Sequence, residues 1–335
     1  MKQILKQVSG IDVAQKELVV TLGKMYSDLT IELYAYKVFR NTKPGIISML
    51  KWVKALSDKE VRVHFVMEAT GVYHQKFAYY LDEKGYDLSI VLPNKISNYM
   101  RTLDVKTITD KTASQAIAQF GLERKLDFWK RPKKVYKELQ QLTRERDQIV
   151  DERSIIKNQL HAENAEAEPN KGSLKRMKAR IKFLNSQEKE IKIDIEKVIN
   201  NDAMLKQKIA DICTIPGVGS LTATIVLAET NGFELIRNKR QLTSYAGLDV
   251  REKLSGTSVK GKPKISKKGN RNLRKAMHFP SLSSIKYNEK HKELYVRLVS
   301  KSGIKMKGLV AVQRKLLELI YVIYKNKTTF QENYE

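Results

Sequence analysis

Residues 134–200 constrain the fold most strongly, because they carry two apolar seams whose spacing alternates between four and three residues, as in heptad repeats. The seam positions are, in the first segment, Val135, Leu139, Leu142, Arg146, Ile149, Arg153, Ile156 and Leu160 and, in the second, Leu174, Met177, Ile181, Leu184, Glu188, Ile191, Ile195 and Val198. The intervening AENAEAEPNKGS (162–173) contains Pro169 and Gly172 and predicts a turn. We therefore expect an antiparallel helical hairpin, in which the charged seam residues disturb the packing or set its register.

The chain on either side of this hairpin has a different pattern. Before it, alternating or continuous apolar runs predict strands at 8–13, 17–22, 30–38, 61–67 and 88–92, with helices at 45–56, 73–84 and 111–122. A strand meander followed by alternating helix and strand indicates an α/β layer with a mixed sheet. After the hairpin the chain reads as mainly helical, closing with an apolar helix at 309–325. The predicted domains are 1–130, a connector at 131–205, and 206–328.

Charge points to the class of partner. The 335 residues contain 63 Lys or Arg against 37 Asp or Glu, a net charge of +26. So large an excess favours a polyanion, most plausibly nucleic acid, over an anionic membrane surface or a merely lysine-rich proteome. The single cysteine, Cys213, excludes a disulfide framework and a thiolate zinc site. Without a membrane-length apolar stretch or a signal-peptide pattern, we expect a cytoplasmic protein with no membrane partner.

Three acidic residues stand where buried or turn-forming residues are expected. Asp12 interrupts the apolar GIDVAQKELVV in the centre of a predicted strand, and Glu68 follows a strand directly in VRVHFVMEATGVY. Asp110 begins a helix in TDKTASQAIAQFG, where it could instead be an N-cap, with Thr109 as competitor. A buried carboxylate is costly unless it is paired or binds a cation. Oxygen ligands of this kind suit Mg²⁺, so the spacing predicts a hard-cation site.

The same stretches, GIDVA, MEATGVY and TDKTAS ahead of AIAQFG, resemble the insertion-sequence transposases of the IS110 ("IS-one-ten") family, which includes pilin-gene invertase-type recombinases. That resemblance implies a ribonuclease-H-like (RuvC-like) α/β domain that binds Mg²⁺ through Asp12, Glu68 and Asp110. The fourth acid of the family's motif falls on Ala113, and neither Asp104 nor Ser114 is a good substitute. Either three acids suffice, with one Mg²⁺ in place and a second lacking its ligand, or this copy is impaired.

The C-terminal half resembles the second domain of the same family in several ordered blocks, IPGVGSLTATIVLAE, QLTSYAGLDVREKLSG, ISKKGNRNLRKAMHFPSL and KGLVAVQRKLLELIYVIYKN. Independently, IPGVG predicts a tight turn whose Gly217 and Gly219 expose backbone N–H groups at a helix N-terminus, as in helix–hairpin–helix elements, although an ordinary helical corner reads the same. Ten Lys or Arg lie from 251 to 275 with one acid. This run predicts a phosphate-gripping loop rather than a solvated face, with binding residues Lys260, Lys262, Lys264, Lys267, Lys268, Arg271 and Arg274.

The resemblance assigns the nucleophile to Ser255 in KLSGTS, with Ser258 as the alternative; by itself, either would be read as an inert loop serine. It implies attack of Ser255 on a DNA phosphate, a covalent phosphoserine, and strand exchange through a junction. It further implies a structured guide RNA that pairs with target and donor DNA, and a dimer or tetramer in which Ser255 and the acids could meet across protomers, in a bacterial cytoplasm close to the nucleoid. A metal-dependent junction nuclease without serine chemistry, and a decayed copy that only binds nucleic acid, remain alternatives.

Overall fold

A computed structural model describes residues 2–69, 71–103, 107–234, 236–252, 254–255, 259–261 and 263–332. The chain divides into two compact units, residues 1–131 and 132–335. The residues described in the first unit form five strands in one sheet and four helices. In chain order these elements are β1 (Ile4–Val13), β2 (Glu17–Tyr26), β3 (Ile31–Arg40), α1 (Lys43–Leu56), β4 (Val63–Glu68), α2 (Gln75–Glu83), β5 (Leu88–Val91), α3 (Pro93–Met100) and α4 (Asp110–Glu123).

The sheet has the strand order β3-β2-β1-β4-β5. The first three strands form an antiparallel meander, whereas β4 and β5 run parallel to β1. This arrangement of a meander extended by two parallel strands is that of the ribonuclease-H-like α/β fold, so the predicted fold class is confirmed. All five predicted strands are present, but β1, β2 and β3 extend beyond their predicted ends, and α3 was not predicted at all.

Helices cover both faces of the sheet, as expected where parallel strands are buried. One apolar cluster joins a face of the sheet to α1 and α2 and includes Ile11, Met49, Phe65 and Phe77. The other joins the opposite face to α3 and α4 and includes Val8, Val66, Ile96, Ile117 and Ala118. Because strand side chains alternate, even-numbered residues of β1 and β4 face α4.

The second unit is mainly helical. Its helices are α5 (Lys134–Asn164), α6 (Lys171–Asn200), α7 (Ala203–Cys213), α8 (Ser220–Glu229), α9 (Lys239–Ala246), α10 (Arg271–Ala276), α11 (His278–Tyr287), α12 (Glu289–Ser302) and α13 (Lys305–Asn326). The residues described between α9 and α10 form four two-residue strands, and the last two lie inside the loop predicted at 255–272: β6 (Val250–Arg251), β7 (Leu254–Ser255), β8 (Val259–Lys260) and β9 (Lys264–Ile265).

Helices α5 and α6 form the predicted antiparallel hairpin. Both continue into the predicted turn, which shrinks to residues 165–170. The charged seam residues pair across the hairpin: Glu188 accepts hydrogen bonds from Arg146 (2.9 Å) and from Arg153. These charge-assisted bonds tie the two helices in one register. The hairpin shares one apolar cluster with the C-terminal helices, including Leu139, Ile195 and Leu316.

Candidate metal centre and nucleic-acid interface

Asp12 and Glu68 lie side by side at one edge of the sheet. Ile11 of β1 is paired in register with Met67 of the parallel strand β4, so the next residue of each strand is acidic. Asp12 is the penultimate residue of β1, not its centre as the sequence suggested, and Glu68 is the last residue of β4. Both positions are even-numbered and therefore face α4. The carboxyl edge of parallel strands is where α/β sheets place ligands.

Helix α4 lies very close to β1, and a glycine makes this possible. A Cβ on Gly10 would lie 2.2 Å from the backbone nitrogen of Ala118. Behind this contact, the buried Thr21 and Ser114 hydroxyls are hydrogen-bonded to one another at 2.8 Å. The close approach directs the N-terminus of α4, which begins with Asp110, toward the edge that carries Asp12 and Glu68.

Asp110 does not cap its own helix, contrary to one of the two readings of the sequence. Thr109 is the N-cap: its hydroxyl accepts a hydrogen bond from the Thr112 amide at 3.2 Å. Thr112 reciprocates, because its hydroxyl accepts from the Thr109 amide at 2.8 Å. This capping box satisfies two donors of the first turn. The exposed Asp110 side chain is therefore not needed for capping.

The three acids line one cavity of about 710 Å³. Helix α3 supplies much of the remaining wall, with Asn94, Ser97 and Met100 followed by Arg101. Helix α3 was not predicted, although Pro93 directly after an apolar strand is a helix-start signal, because proline is favoured at the first helical position. The described lining of the cavity thus combines three carboxylates with neutral polar groups and one guanidinium.

The electrostatics of the cavity favour a cation. Burial raises the pKa of Asp12, and the Asp110 carboxylate raises it further. Burial likewise raises the pKa of Glu68, with a further contribution from Asp12. Like charges that share a site destabilise each other's ionised forms. A bound cation would relieve this repulsion.

Ala113 lies in the wall of the same cavity, one helical turn after Asp110. Its methyl group supplies no ligand where the resembled family has its fourth acid. Ser114, the neighbouring hydroxyl, is fully buried and also donates to the Lys111 carbonyl at 2.8 Å, so it does not replace that acid. Asp104 lies outside the described residues.

The donor chemistry fits a hard divalent ion, since all three acidic side chains offer oxygen. Within the described part of the chain, however, no three His, Cys, Asp or Glu side chains are arranged closely enough to hold one ion together. Asp12, Glu68 and Asp110 would therefore have to adjust their side-chain torsions to share a ligand. The cavity therefore brings three carboxylates to one surface, but in the described structure they do not form a complete metal coordination sphere.

The predicted nucleophile belongs to a short ribbon in the second unit. Ser255 ends β7 and is paired in antiparallel register with Val259 of β8. Ser258 and Lys262 lie outside the described residues, as do the side chains of Ser255 and Lys260. A second two-stranded ribbon is formed by β6 and β9, in which Arg251 pairs with Lys264. This ribbon joins the beginning of the loop to its end.

The base of this basic loop (residues 250–270) is anchored to α9. The Ser266 hydroxyl donates to the Asp249 carboxylate at 2.5 Å, and the Asn270 amide donates to the Tyr245 carbonyl at 2.7 Å. Of the predicted binding residues described here, Lys264, Lys267, Lys268 and Arg271 are exposed. Arg274 is different, because its guanidinium donates to the Ala246 carbonyl at 2.7 Å and caps α9.

The IPGVG turn connects α7 to α8 as predicted, but its two glycines differ. Gly217 has a φ of +92°, and a Cβ there would lie 2.6 Å from the Ser284 backbone nitrogen of α11. Close packing against α11 and the left-handed backbone therefore explain why residue 217 is a glycine. Gly219 is the exposed N-cap of α8, and a Cβ there would meet nothing within 4 Å. Of the two, Gly219 is the one placed to present amides to an anion.

One buried carboxylate, which was not predicted as a functional or structural residue, is hydrogen-bonded to residues at the end of the basic loop. Glu229 closes the apolar helix α8 and is 2% exposed. Its oxygens accept hydrogen bonds from Arg144 of the hairpin, from Asn270 at 2.6 Å and from Asn272 at 3.2 Å. The acid at the end of the apolar segment IVLAE could have indicated a buried ion pair. Its partners could not be predicted, because they are remote in sequence.

Two family profiles match separate stretches of the chain. A family profile described as "Transposase" matches residues 9–163, and one described as "Transposase IS116/IS110/IS902 family" matches residues 210–296. The chain is similar to the pilin gene-inverting protein of Moraxella lacunata, with 25% identity over 333 residues and 98% of each chain covered. Its counterpart from Moraxella bovis is 25% identical over 300 residues, which cover 88% of this chain and 90% of that one.

Among solved structures, a match is T. thermophilus RuvC in complex with a Holliday junction substrate. It is 12% identical with a TM-score of 0.27, over 37% of this chain and 99% of that one.

Among the described helices, none combines the length and the apolar character needed to cross a bilayer.

Proposed function

The chain belongs to the IS116/IS110/IS902 family of transposases, and we propose that it cuts and rejoins DNA at insertion-sequence ends and target sites through a covalent phosphoserine. The observation that carries the proposal is the convergence of Asp12, Glu68 and Asp110 on one cavity at the carboxyl edge of the sheet. Three carboxylates from separate elements have no structural need to meet there, since their mutual repulsion is unfavourable.

In the proposed reaction the Ser255 hydroxyl oxygen attacks a DNA phosphorus. A bond forms between that oxygen and phosphorus, the bond from phosphorus to one deoxyribose oxygen breaks, and the displaced oxygen leaves as a hydroxyl after gaining a proton. Asp12, Glu68 and Asp110 would hold a divalent ion, Mg²⁺ in our proposal, and when bound it would supply stabilisation of negative charge on phosphate oxygens. Reversal of the step with a different strand hydroxyl rejoins the DNA.

The basic loop supports the substrate assignment. Exposed Lys264, Lys267, Lys268 and Arg271 follow the ribbon that carries Ser255 and would bind phosphates on either side of the cut. Gly219 at the start of α8 would offer backbone amides to another phosphate. Because the base of the loop is already anchored to α9, the loop loses less conformational entropy when DNA binds.

Covalent trapping tests the proposal. Wild type, Ser255→Ala, Ser258→Ala and Asp12→Ala proteins are incubated with element-end DNA, the RNA flanking the element and Mg²⁺, and a denaturant-resistant protein–DNA adduct is sought. We expect an adduct in wild type and Ser258→Ala, and none in Ser255→Ala or Asp12→Ala. Cleavage that survives Ser255→Ala but not Asp12→Ala would instead identify a metal-dependent junction nuclease.

The same assay decides what Ala113 means. An adduct in wild type shows that three acids suffice. An adduct in Ala113→Asp alone would mean that this copy is disabled at its fourth ligand and only binds nucleic acid.

Guide RNA and oligomerisation are part of the proposal. The net charge of +26 is compatible with binding both DNA and a structured RNA from the flanking element. We expect adduct formation to be abolished when that RNA is omitted or digested. We expect a dimer or tetramer in solution, measured by sedimentation with and without the RNA.

A further inference from the structure

An apolar cavity of about 640 Å³ lies beside the basic loop in the second unit. Its wall is built from three places: the chain that follows α9, the strand β9, and the corner between α12 and α13. Leu248, Ile265, Leu298 and Val310 are among its apolar lining residues. The proposed phosphoserine chemistry uses Lys264 and Lys267 of the lining to bind phosphates, but it makes no use of the apolar surface.

Large apolar side chains at the cavity are open to water. Val250 is 51% exposed, Ile304 56% and Met306 55%. Single exposed apolar residues are common, but several around one concave surface mark a binding site. The ligand must therefore present an apolar face of small-molecule size.

Cations surround this apolar surface. Lys264, Lys267, Lys307 and Arg314 contribute to the lining, and none of the lining residues described is acidic. Lys267 has a left-handed backbone with a φ of +53°, held by a hydrogen bond from its amide to the Gly247 carbonyl at 3.1 Å. A lysine in this conformation costs free energy, and the anchored loop base maintains it. The ligand must therefore carry negative charge close to its apolar face.

We propose that this cavity binds an unstacked base of a single DNA strand, while the four cations hold the neighbouring phosphates. A nucleobase combines a flat apolar face with a flanking anionic backbone, which is the combination the cavity complements. The inference rests on the proposed function, because a strand that is cut and exchanged must leave its duplex. A base held here would keep the displaced strand next to the ribbon that carries Ser255.

Two probes of equal charge test this directly. One is a short fluorescent oligo-dT, and the other is an oligomer of the same length in which every residue is abasic. Binding is measured by anisotropy without divalent ions, so cleavage plays no part. We expect wild type to prefer oligo-dT by roughly tenfold, because only oligo-dT has bases that can stack on the apolar surface.

Met306→Gln is the informative variant, because glutamine keeps the length and helix propensity of methionine but not its apolar surface. We expect it to weaken oligo-dT binding roughly fivefold and to leave abasic binding unchanged. Met204→Gln is the matched control, since Met204 is also the second residue of a helix, is 68% exposed and does not line the cavity. We expect this control to bind both probes like wild type.

A second variant guards against misfolding. Ile304 is the N-cap of α13 without a side-chain cap bond, so Ile304→Asn removes apolar surface while improving the cap. We expect the same selective loss of oligo-dT binding. Lys307→Ala should instead weaken both probes equally.

Three results would overturn the proposal. One is equal wild-type affinity for the two probes. Another is equal loss of both in Met306→Gln. The third is a change in sedimentation of Met306→Gln without DNA, which would make the cavity a protein contact. A failed trapping assay alone would leave the base site intact, whereas loss of base preference with normal trapping would remove only this inference.

Discussion

Arg144 of the helical hairpin and Glu229 at the end of α8 form a two-pronged ion pair, with Nε 2.7 Å from Oε1 and Nη2 2.8 Å from Oε2. Burial alone would raise the pKa of Glu229, but hydrogen bonds from Arg144, Asn270 and Asn272 outweigh it and lower that pKa. The Tyr245 hydroxyl also donates to the Glu229 carbonyl at 2.9 Å. One acid thus connects the hairpin, α9 and the residues that follow the basic loop.

Glu229→Gln is expected to destabilise the protein by about 2 kcal/mol, because it leaves the Arg144 guanidinium without its charge partner. The cost stays below that of a fully buried pair, since Arg144 is 46% exposed and retains water. Urea unfolding measures the change. Asp194→Asn, which breaks the exposed pair with Lys197, serves as control and should cost less than about 0.5 kcal/mol. Equal costs for the two variants would contradict a special role of Glu229.

Gly10→Ala should destabilise the protein by roughly 3 kcal/mol or more, because the added methyl would overlap the Ala118 backbone and push α4 off the sheet. Since α4 carries Asp110, DNA cleavage should fall as well. Gly172→Ala, in the first turn of α6, is the control and should have a much smaller effect, because a Cβ there would approach only side-chain atoms, 3.2 Å from Asn170 and 3.3 Å from Arg176. Thermal unfolding and a cleavage assay check both effects, and a wild-type Tm in Gly10→Ala would disprove the close approach.

Asp12→Asn should abolish cleavage yet raise the stability of the metal-free protein by on the order of 1 kcal/mol, because it removes a half-buried charge that Glu68 and Asp110 repel. Added Mg²⁺ should stabilise wild type more than the variant. Calorimetry with and without Mg²⁺ tests both statements. Glu17→Gln, an exposed acid on the adjacent strand, should change neither. A less stable Asp12→Asn protein would mean that Asp12 has a structural partner.

Glu188 makes the hairpin sensitive to acid. Burial would raise its pKa, but hydrogen bonds from Lys192, Arg153 and Arg146 lower it to about 2. Because the folded-state pKa lies below the ordinary value of 4.5, its stabilisation is present above about pH 4.5 and disappears as the pH falls through 2. The stability difference between wild type and Glu188→Gln should therefore be large at neutral pH and vanish near pH 2. Urea unfolding across this range measures it, and a constant difference would refute the mechanism.

The sequence by itself determined the elements whose signals are local. Period-two and heptad patterns depend on residues a few positions apart, so the five strands and the long hairpin were predictable. The acids Asp12 and Glu68 were conspicuous because charge is unfavourable beside buried strand residues. The resemblance of several ordered sequence blocks to one transposase family then predicted roles for these acids and for Ser255 in DNA recombination.

Only the tertiary structure decided which distant groups meet. The register of β1 with β4 puts Asp12 beside Glu68, and the absent side chain of Gly10 lets α4 bring Asp110 to the same edge. The contacts around Glu229 and the apolar cavity at Met306 likewise depend on packing. Such contacts join residues up to about a hundred positions apart, and their free energies come from burial and desolvation that no local pattern records.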